Sequence, residues 1–524
     1  MSSSPRDGRA ELVPTAFVVA ASALVLIAYA IRAAALVRYP WDWSPDEGLY
    51  LDWARRVLEA PSTLYPRGTV VPFPAVYGPV LPLLLAPIVA LSASPLAGAR
   101  LLAAAWTGLG ALCVYALVRK TTTPTLALAA AALALAPFDL TFWHMLVRVD
   151  GPMTTLVLAA AIPLLPRRLA RGADRLSSGR LLAGSALLLA AVLTKATATL
   201  TAAPLVLGWF AVDRRSGMRL SLALLASGLV VLGALQWATG GGFLLASGLW
   251  AVHPAQAGLR EALVRLFLDR TWPLGLLCLL GLGAAWDRRG EALRDPTLLL
   301  LLGCALVVPA MSKQGAWWNY LLPAVPVLAV LAARWWGHAA DAIAPRGLSR
   351  PSLGAAGMAA VALVLASTRV FPLPTPEDER TSRALFAYVT AHVARAGGPI
   401  LASRPELAYF LVGQPSEIDG ASFPHLVAAS TPGTGTVLRR LVRAEYTLLV
   451  EAWPFPSTRE YASAIGRMYV EAGGCRVGYF YGTTRIRLFR RRDIEHPMRA
   501  QPGTRCGSAA LPSDPTPATM NEGR

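Results

Sequence analysis

Tyr39-Pro40-Trp41-Asp42-Trp43-Ser44-Pro45-Asp46-Glu47-Gly48-Leu49-Tyr50 follows an almost uncharged apolar run from about Thr15 to Val37. The run has the length a helix needs to cross a bilayer, about 20 residues. The stretch after it sets acids among aromatics and prolines, where a chain leaving hydrocarbon meets water. The contrast repeats along the molecule. Of 524 residues, 55% are hydrophobic and 15% charged, with a mean hydropathy of +0.47. Soluble chains carry roughly 25% charged residues, so the fold class is an α-helical polytopic membrane protein. The formal charge of +18 does not point to nucleic acid, because the basic residues sort to one side of the membrane.

Residues 1–14 carry Arg6 and Arg9, which places the N-terminus in the cytoplasm. The first run is too long for a signal-peptide core and stays as an uncleaved span. An outer loop, 38–96, follows. In it Pro45-Asp46-Glu47 starts a short helix through Leu58, since proline and carboxylates both favour a first turn. The proline-rich piece 76–92 is expected to lie along the membrane surface. Further spans are expected near 97–118, 125–142, 151–165, 181–193, 196–210, 220–237, 272–286, 297–311, 320–333 and 353–366, about eleven in all. Short loops such as Arg119-Lys120, Arg167-Arg168, Arg214-Arg215 and Arg288-Arg289 are basic and therefore inner. The transmembrane part thus covers 15–370.

Composition changes at Pro372, Pro374 and Pro376. Residues 371–492 read as a small extracytoplasmic α/β domain, with strands at 399–402 and 446–450 and a helix over 382–394. The tail 493–524, rich in Pro, Ser, Thr and Gly, reads as disordered. Cys113, Cys278 and Cys304 lie in apolar runs and read as buried thiols. Cys475 and Cys506 are available to pair if the domain faces an oxidising compartment.

On this topology one face collects Asp46, Glu47, Arg55, His144, Arg148, Asp150, Lys195 and Lys313. Arg148, Lys195 and Lys313 stand at outer turns, against the general bias, and cations there suit an anionic ligand such as a lipid phosphate. Snorkelling or pairing with a carboxylate is the plainer reading of each alone. Asp46 and Glu47 suit helix capping as well as chemistry. Trp43 and Tyr50 beside them suit sugar stacking as well as membrane anchoring. Adjacent carboxylates are also donors for a hard divalent ion such as Mg or Mn, with Glu47 the ligand to consider.

These residues resemble a known group. Asp46-Glu47-Gly48-Leu49-Tyr50 is similar to the Asp-Glu-x-x-Tyr motif in the first outer loop of GT-C glycosyltransferases. The nearest branch holds the aminoarabinose and protein O-mannosyltransferases, which use polyprenyl-phosphate sugars. Tyr77-Gly78-Pro79, Arg148-Val149-Asp150, Leu193-Thr194-Lys195, Lys313-Gln314-Gly315 and Asn319-Tyr320-Leu321-Leu322-Pro323 also resemble that group. The chain departs from the aminoarabinose branch in having Gly78-Pro79 where those enzymes carry a lysine, and Leu49 where they carry an arginine. Their phosphate contacts are therefore not carried over, and Arg55, Arg148, Lys195 and Lys313 are the cations offered instead.

The resemblance implies a glycosyltransferase in the inner (plasma) membrane. It would move a hexosyl or pentosyl group from a polyprenyl-phosphate donor to an extracytoplasmic lipid, glycan or protein acceptor. Asp46 would be the general base, with Glu47 in support and inversion at the anomeric carbon. Tyr50, Trp43, Tyr77, Asp150, His144, Asn319 and Tyr320 would line the substrates. A transporter or flippase for a lipid-linked anion is the competing reading, but it commonly shows internal repeats, and none is evident. The topology predicts that a tag after Arg524 is labelled from outside intact cells by an impermeant reagent; labelling only after lysis would reject it.

Overall fold

A backbone crossing hydrocarbon must satisfy its own hydrogen bonds, so apolar runs of this length form helices. In the computed structural model, residues 8–40, 43, 46–69, 72–166, 168–172, 174–249, 253–313, 318–339, 350–367, 373–403, 434–451, 459–479 and 482–493 are described. Each of the eleven expected stretches carries a helix. These are α1 (Gly8–Arg38), α4 (Pro95–Arg119), α5 (Pro124–Leu135), α7 (Asp150–Leu164), α8 (Ser178–Thr194), α9 (Ala198–Val212), α10 (Arg214–Ala238), α12 (Leu259–Ala284), α14 (Thr297–Leu306), α15 (Ala324–His338) and α16 (Arg350–Ser367). Between them lie α2 (Glu47–Glu59), α3 (Val80–Leu91), α6 (Phe138–Met145), α11 (Gly242–Gly248) and α13 (Arg289–Ala292).

Among the described residues, four helical segments are long and apolar enough to cross a bilayer alone: Val13–Arg38, Pro95–Arg119, Arg214–Ala238 and Trp318–His338. Trp286–Ala292 and Thr297–Ser312 together make a fifth, bent by 66°. Helix α12 begins at Leu259, well before the expected Trp272, because Gly258 at φ +74° supplies its N-terminal turn. Its first turns carry Arg260, Glu261, Arg265, Asp269 and Arg270, the charges that hid it from a hydropathy reading.

The outward faces are apolar. On α10, Leu222, Leu225, Leu229, Val230 and Trp237 are exposed, and a surface of that character suits lipid. Inside the bundle, α1 packs on α16, α4 on α5 and α7, α7 on α8, and α12 on α15. Cys113, Cys278 and Cys304 are buried free thiols.

The C-terminal region begins with α17 (Pro376–Ala396), started by a capping box between Thr375 and Asp378. A four-stranded sheet follows: β1 (Ile400–Ala402), β2 (Leu448–Glu451), β3 (Tyr469–Tyr479) and β4 (Gly482–Arg491), in the order β1-β2-β4-β3. Only the β1–β2 pair is parallel. Side chains alternate between the faces of a strand. Leu401 and Leu449 accordingly pack under α18 (Thr434–Val442) and α19 (Arg459–Met468), while Ile400, Ala402, Leu448 and Val450 join the larger cluster. The β3–β4 hairpin was not evident in the sequence, whose glycines and arginines mask its alternation. Residues 494–524, Cys506 with its pairing to Cys475, and residues 314–317 lie outside the described residues.

Two of the short motifs meet. Helix α3 follows directly on Tyr77-Gly78-Pro79, and Gly78 lies against the C-terminal turn of α8. A Cβ at Gly78 would fall 1.8 Å from the Leu193 carbonyl oxygen. Gly78→Ala should therefore cost stability at or beyond the upper end of the ~1–3 kcal/mol of overpacking, read as a lowered Tm in detergent. Gly108→Ala, where nothing lies within 4 Å of the added Cβ, should leave Tm level or raise it. An unchanged Tm for Gly78→Ala would show that the loop does not depend on this approach.

Candidate active site

Glu47 opens α2 and is completely buried. Arg100, in the first turns of α4, donates to it through Nε to Oε1 (2.8 Å) and NH2 to Oε2 (2.5 Å). The backbone N–H groups of Trp43 (2.9 Å) and Val147 (3.2 Å) donate to the same carboxylate. Arg100 also donates to the carbonyls of Leu36 (2.6 Å) and Tyr39 (2.7 Å) at the end of α1. Glu47 is thus enclosed in a structural bridge that ties α1, α2, α4 and the α6–α7 loop. Its oxygens are engaged, and among the described residues no group of three His, Cys, Asp or Glu could hold a metal ion. Glu47, the ligand considered from sequence for a Mg or Mn ion, is instead taken up by Arg100 and two backbone N–H groups.

Its neighbour Asp46 behaves differently. The Asp46 carbonyl accepts the first helical bond from Tyr50 (3.2 Å), yet its side chain makes no capping hydrogen bond. The carboxylate turns instead to Arg148, with Oδ2 2.6 Å from NH1 and the side chain 32% exposed. Arg148 continues to Asp150 (3.4 Å), and Asp150 Oδ1 is met by Lys195 Nζ at 2.7 Å. Asn319 Nδ2 donates to both oxygens of Asp150, at 3.2 and 3.1 Å. Lys195 lies over the Tyr320 ring (4.3 Å to the centroid) and Arg148 over the Trp143 ring (4.6 Å). The result is a row of alternating charge, Asp46–Arg148–Asp150–Lys195. Asp46 is its accessible end and the other three members are buried.

This row joins segments distant in sequence. Asp150 opens α7, where the helix dipole favours a carboxylate, Lys195 ends α8, and Asn319 and Tyr320 precede α15. Tyr77 and Tyr50 form the adjoining wall, stacked at 6.0 Å between centroids. Burial, then the field of Tyr50, Tyr320, Asp46 and Asp150, pushes the Tyr77 phenol well above 10. Burial disfavours the Arg148 charge, but Asp46, Tyr50 and Asp150 outweigh it and push that group up. Asn319 Oδ1 accepts no hydrogen bond among the described residues.

The remaining residues singled out from sequence lie otherwise. Lys195 was expected to meet a donor phosphate, but it is 3% exposed and its ammonium is committed to Asp150. Arg55 pairs with buried Asp52 (3.0 Å) and with Glu59 (3.7 Å). Trp43 is buried edge-on against Tyr39, 4.9 Å between centroids, and presents no face for sugar stacking. His144 is buried and lines a small cavity with Thr107 and Thr154. Burial pushes its imidazole down to about 4, so it is neutral near pH 7. Lys313 is half-buried, with its backbone bridged to Ala255. Arg100 was missed in the sequence. The signal was there, since a charge inside the apolar run 97–118 needs a partner.

Removing one partner of a buried ion pair costs ~3–5 kcal/mol, because the other charge is left uncompensated. Glu47→Gln should therefore lower Tm sharply in detergent, whereas Asp46→Asn should leave it near the parent value. Equal Tm values for the two variants would remove the distinction between bridge and accessible carboxylate.

With the geometry in place, the likenesses can be stated. Residues 74–237 match the family described as dolichyl-phosphate-mannose-protein mannosyltransferase. The matched segment holds Arg148, Asp150 and Lys195 but not Asp46. Among curated proteins none matches the sequence. The crystal structure of ArnT from Cupriavidus metallidurans bound to undecaprenyl phosphate is similar over 90% of this chain and 98% of that one, at 15% identity and a TM-score of 0.58. The apo form of that protein gives 0.57 at the same identity and coverage. The Archaeoglobus fulgidus oligosaccharyltransferase, with Zn and sulfate, gives 0.49 at 13% identity, over 88% of this chain and 72% of that one. The chain thus shares the fold of ArnT, and its segment 74–237 is similar to the mannosyltransferase family.

Proposed function

We propose that the chain transfers a sugar from a polyprenyl-phosphate donor to an extracytoplasmic acceptor, with Asp46 as general base. The observation that carries this reading is the contrast at Asp46 and Glu47. One carboxylate is locked in a bridge, while the other forgoes capping and stands one-third exposed at the end of a buried charge row. Support for the donor class comes from the similar ArnT, which is described as bound to undecaprenyl phosphate, and from the dolichyl-phosphate-mannose family matched over 74–237.

In this mechanism the acceptor hydroxyl (or amine) gives its proton to an Asp46 oxygen while its lone pair attacks the anomeric carbon. The bond from that carbon to the phosphate oxygen breaks, and its electron pair leaves with the polyprenyl phosphate. A phosphate is already a good leaving group, so cations rather than a general acid stabilise it. Arg148 is the nearest, and an arriving phosphate competes with Asp46 for its guanidinium, releasing the carboxylate for the acceptor. The charges of the row cancel, so a bound phosphate calls for further cations, for which the sequence offers Arg55 and Lys313. Asp150, held by Lys195 and Asn319, keeps Arg148 in place. A single displacement of this kind inverts the anomeric carbon. The site faces outward from the plasma membrane, and the C-terminal domain stands on the same side, where Tyr39 and Ser382 share a buried hydrogen bond of 2.7 Å.

The test is a panel of polyprenyl-phosphate sugars offered to the purified, reconstituted protein, with product followed by mass. Loss of a general base typically costs ~100- to 10,000-fold in rate. Asp46→Asn should show that loss with an unchanged Tm, and near-normal turnover would overturn the assignment.

A further inference from the structure

Helices α4, α7 and α15 begin at the Asp46 end and carry a second feature at their other ends. Arg100 and Lys120 stand at opposite ends of α4, about 30 Å apart at 1.5 Å per residue, close to the thickness of bilayer hydrocarbon. At that far end the α4–α5, α7–α8 and α12–α14 loops meet the end of α15 around a cavity of ≈ 760 Å³. That size lies within the roughly 300–1,000 Å³ of small-molecule sites.

Six cations line it, Lys120, Arg168, Arg180, Arg288, Arg294 and Arg334. Three carboxylates oppose them, and each is taken. Asp174 is bound bidentately by Arg180 (3.0 and 3.1 Å), Asp295 by Arg334 (3.2 Å), and Glu291 lies 3.6 Å from Arg168. Lys120 and Arg294 have no carboxylate partner among the described residues. Among the described residues the Lys120 ammonium donates only to the Ile162 carbonyl. Burial first, then the Arg180 and Arg334 charges, push its titration down, as a cation held in a positive field requires. One wall is apolar, formed by Leu117, Ile162, Pro163, Leu165 and Pro166. Basic loops that served only to orient the chain in the membrane would not need to converge on one walled cavity.

We infer that this cavity binds a phosphate-bearing anion, its phosphate between Lys120 and Arg294 and its apolar part, where it has one, on the proline-lined wall. Phosphate accepts several charge-assisted hydrogen bonds and matches guanidinium geometry. The two sources of that chemistry are the headgroup of an anionic membrane lipid and a soluble phosphate. The inference is independent of the role given to Asp46.

The experiment uses the full chain in zwitterionic detergent, with native mass spectrometry and thermal shift as readouts. Phosphatidic acid, phosphatidylcholine and inorganic phosphate are the probes. Phosphatidic acid should bind and raise Tm, and phosphatidylcholine should not. Lys120→Ala/Arg294→Ala should weaken binding by at least about tenfold, the scale of one lost hydrogen bond to a charged group. Because neither residue neutralises a carboxylate, the double variant should fold with the parent Tm in the absence of probe. Arg260→Ala, which removes an exposed cation elsewhere, should bind like the parent. Competition by inorganic phosphate, with a Tm rise of its own, assigns the site to soluble phosphate; its failure to compete assigns the site to a lipid headgroup. Equal binding of parent and double variant, or binding of no probe, overturns the inference. Sugar transfer assayed in parallel separates this outcome from any failure of the Asp46 assignment.

Discussion

The Glu47–Arg100 pair is the interaction on which the site depends. Taking a carboxylate and a guanidinium out of water costs several kcal/mol per ion, and the pair repays that only when the remaining hydrogen-bonding positions are filled. Here they are filled from the chain itself. Arg100 takes the Leu36 and Tyr39 carbonyls at the end of α1, and Glu47 takes the Trp43 and Val147 amides. A single pair thereby gathers backbone groups from the end of α1, the loop before α2 and the α6–α7 loop. It also fixes where α2 begins, and so where Asp46 points.

Beside it, the row from Asp46 to Lys195 shows how a membrane protein keeps charges at its surface without exposing them all. Each buried member has a partner of opposite sign, and Asn319 and the aromatic faces of Tyr320 and Trp143 complete the contacts. Four charges that cancel hold one carboxylate at the open end in a defined direction. Rigid support of this kind is what positioned acid–base chemistry requires. The aromatic residues divide between two tasks. Trp43 packs inside, while half-buried Tyr77 and Tyr320 remain beside the accessible carboxylate.

Close packing joins the parts. Gly78 lets the α2–α3 loop touch the last turn of α8, directly before Lys195, and Gly303 lets α14 approach the Thr201 carbonyl of α9. The same helices that present Asp150 and Asn319 at one end present arginines at the other. The two ends therefore differ in kind, with a balanced charge row at one and an excess of cations at the other.

Much of the architecture was determined by the sequence alone, because hydropathy and helix length are local properties read residue by residue. The apolar runs, their basic ends, the helix after Pro45 and the strands at Ile400–Ala402 and Leu448–Glu451 follow from that. The turns of α12 before Trp272 and the β3–β4 hairpin escaped because charge and glycine interrupt the local pattern. The partners were a different matter. Asp46 and Glu47 are neighbours of similar chemistry, and nothing within the stretch tells an accessible carboxylate from a buried bridge. Only the arrival of Arg100 from α4 and Arg148 from the α6–α7 loop separated them, just as Asp150 turned Lys195 from a free cation into a counter-ion. Pairing energies depend on distance and burial, and those exist only once the helices have packed.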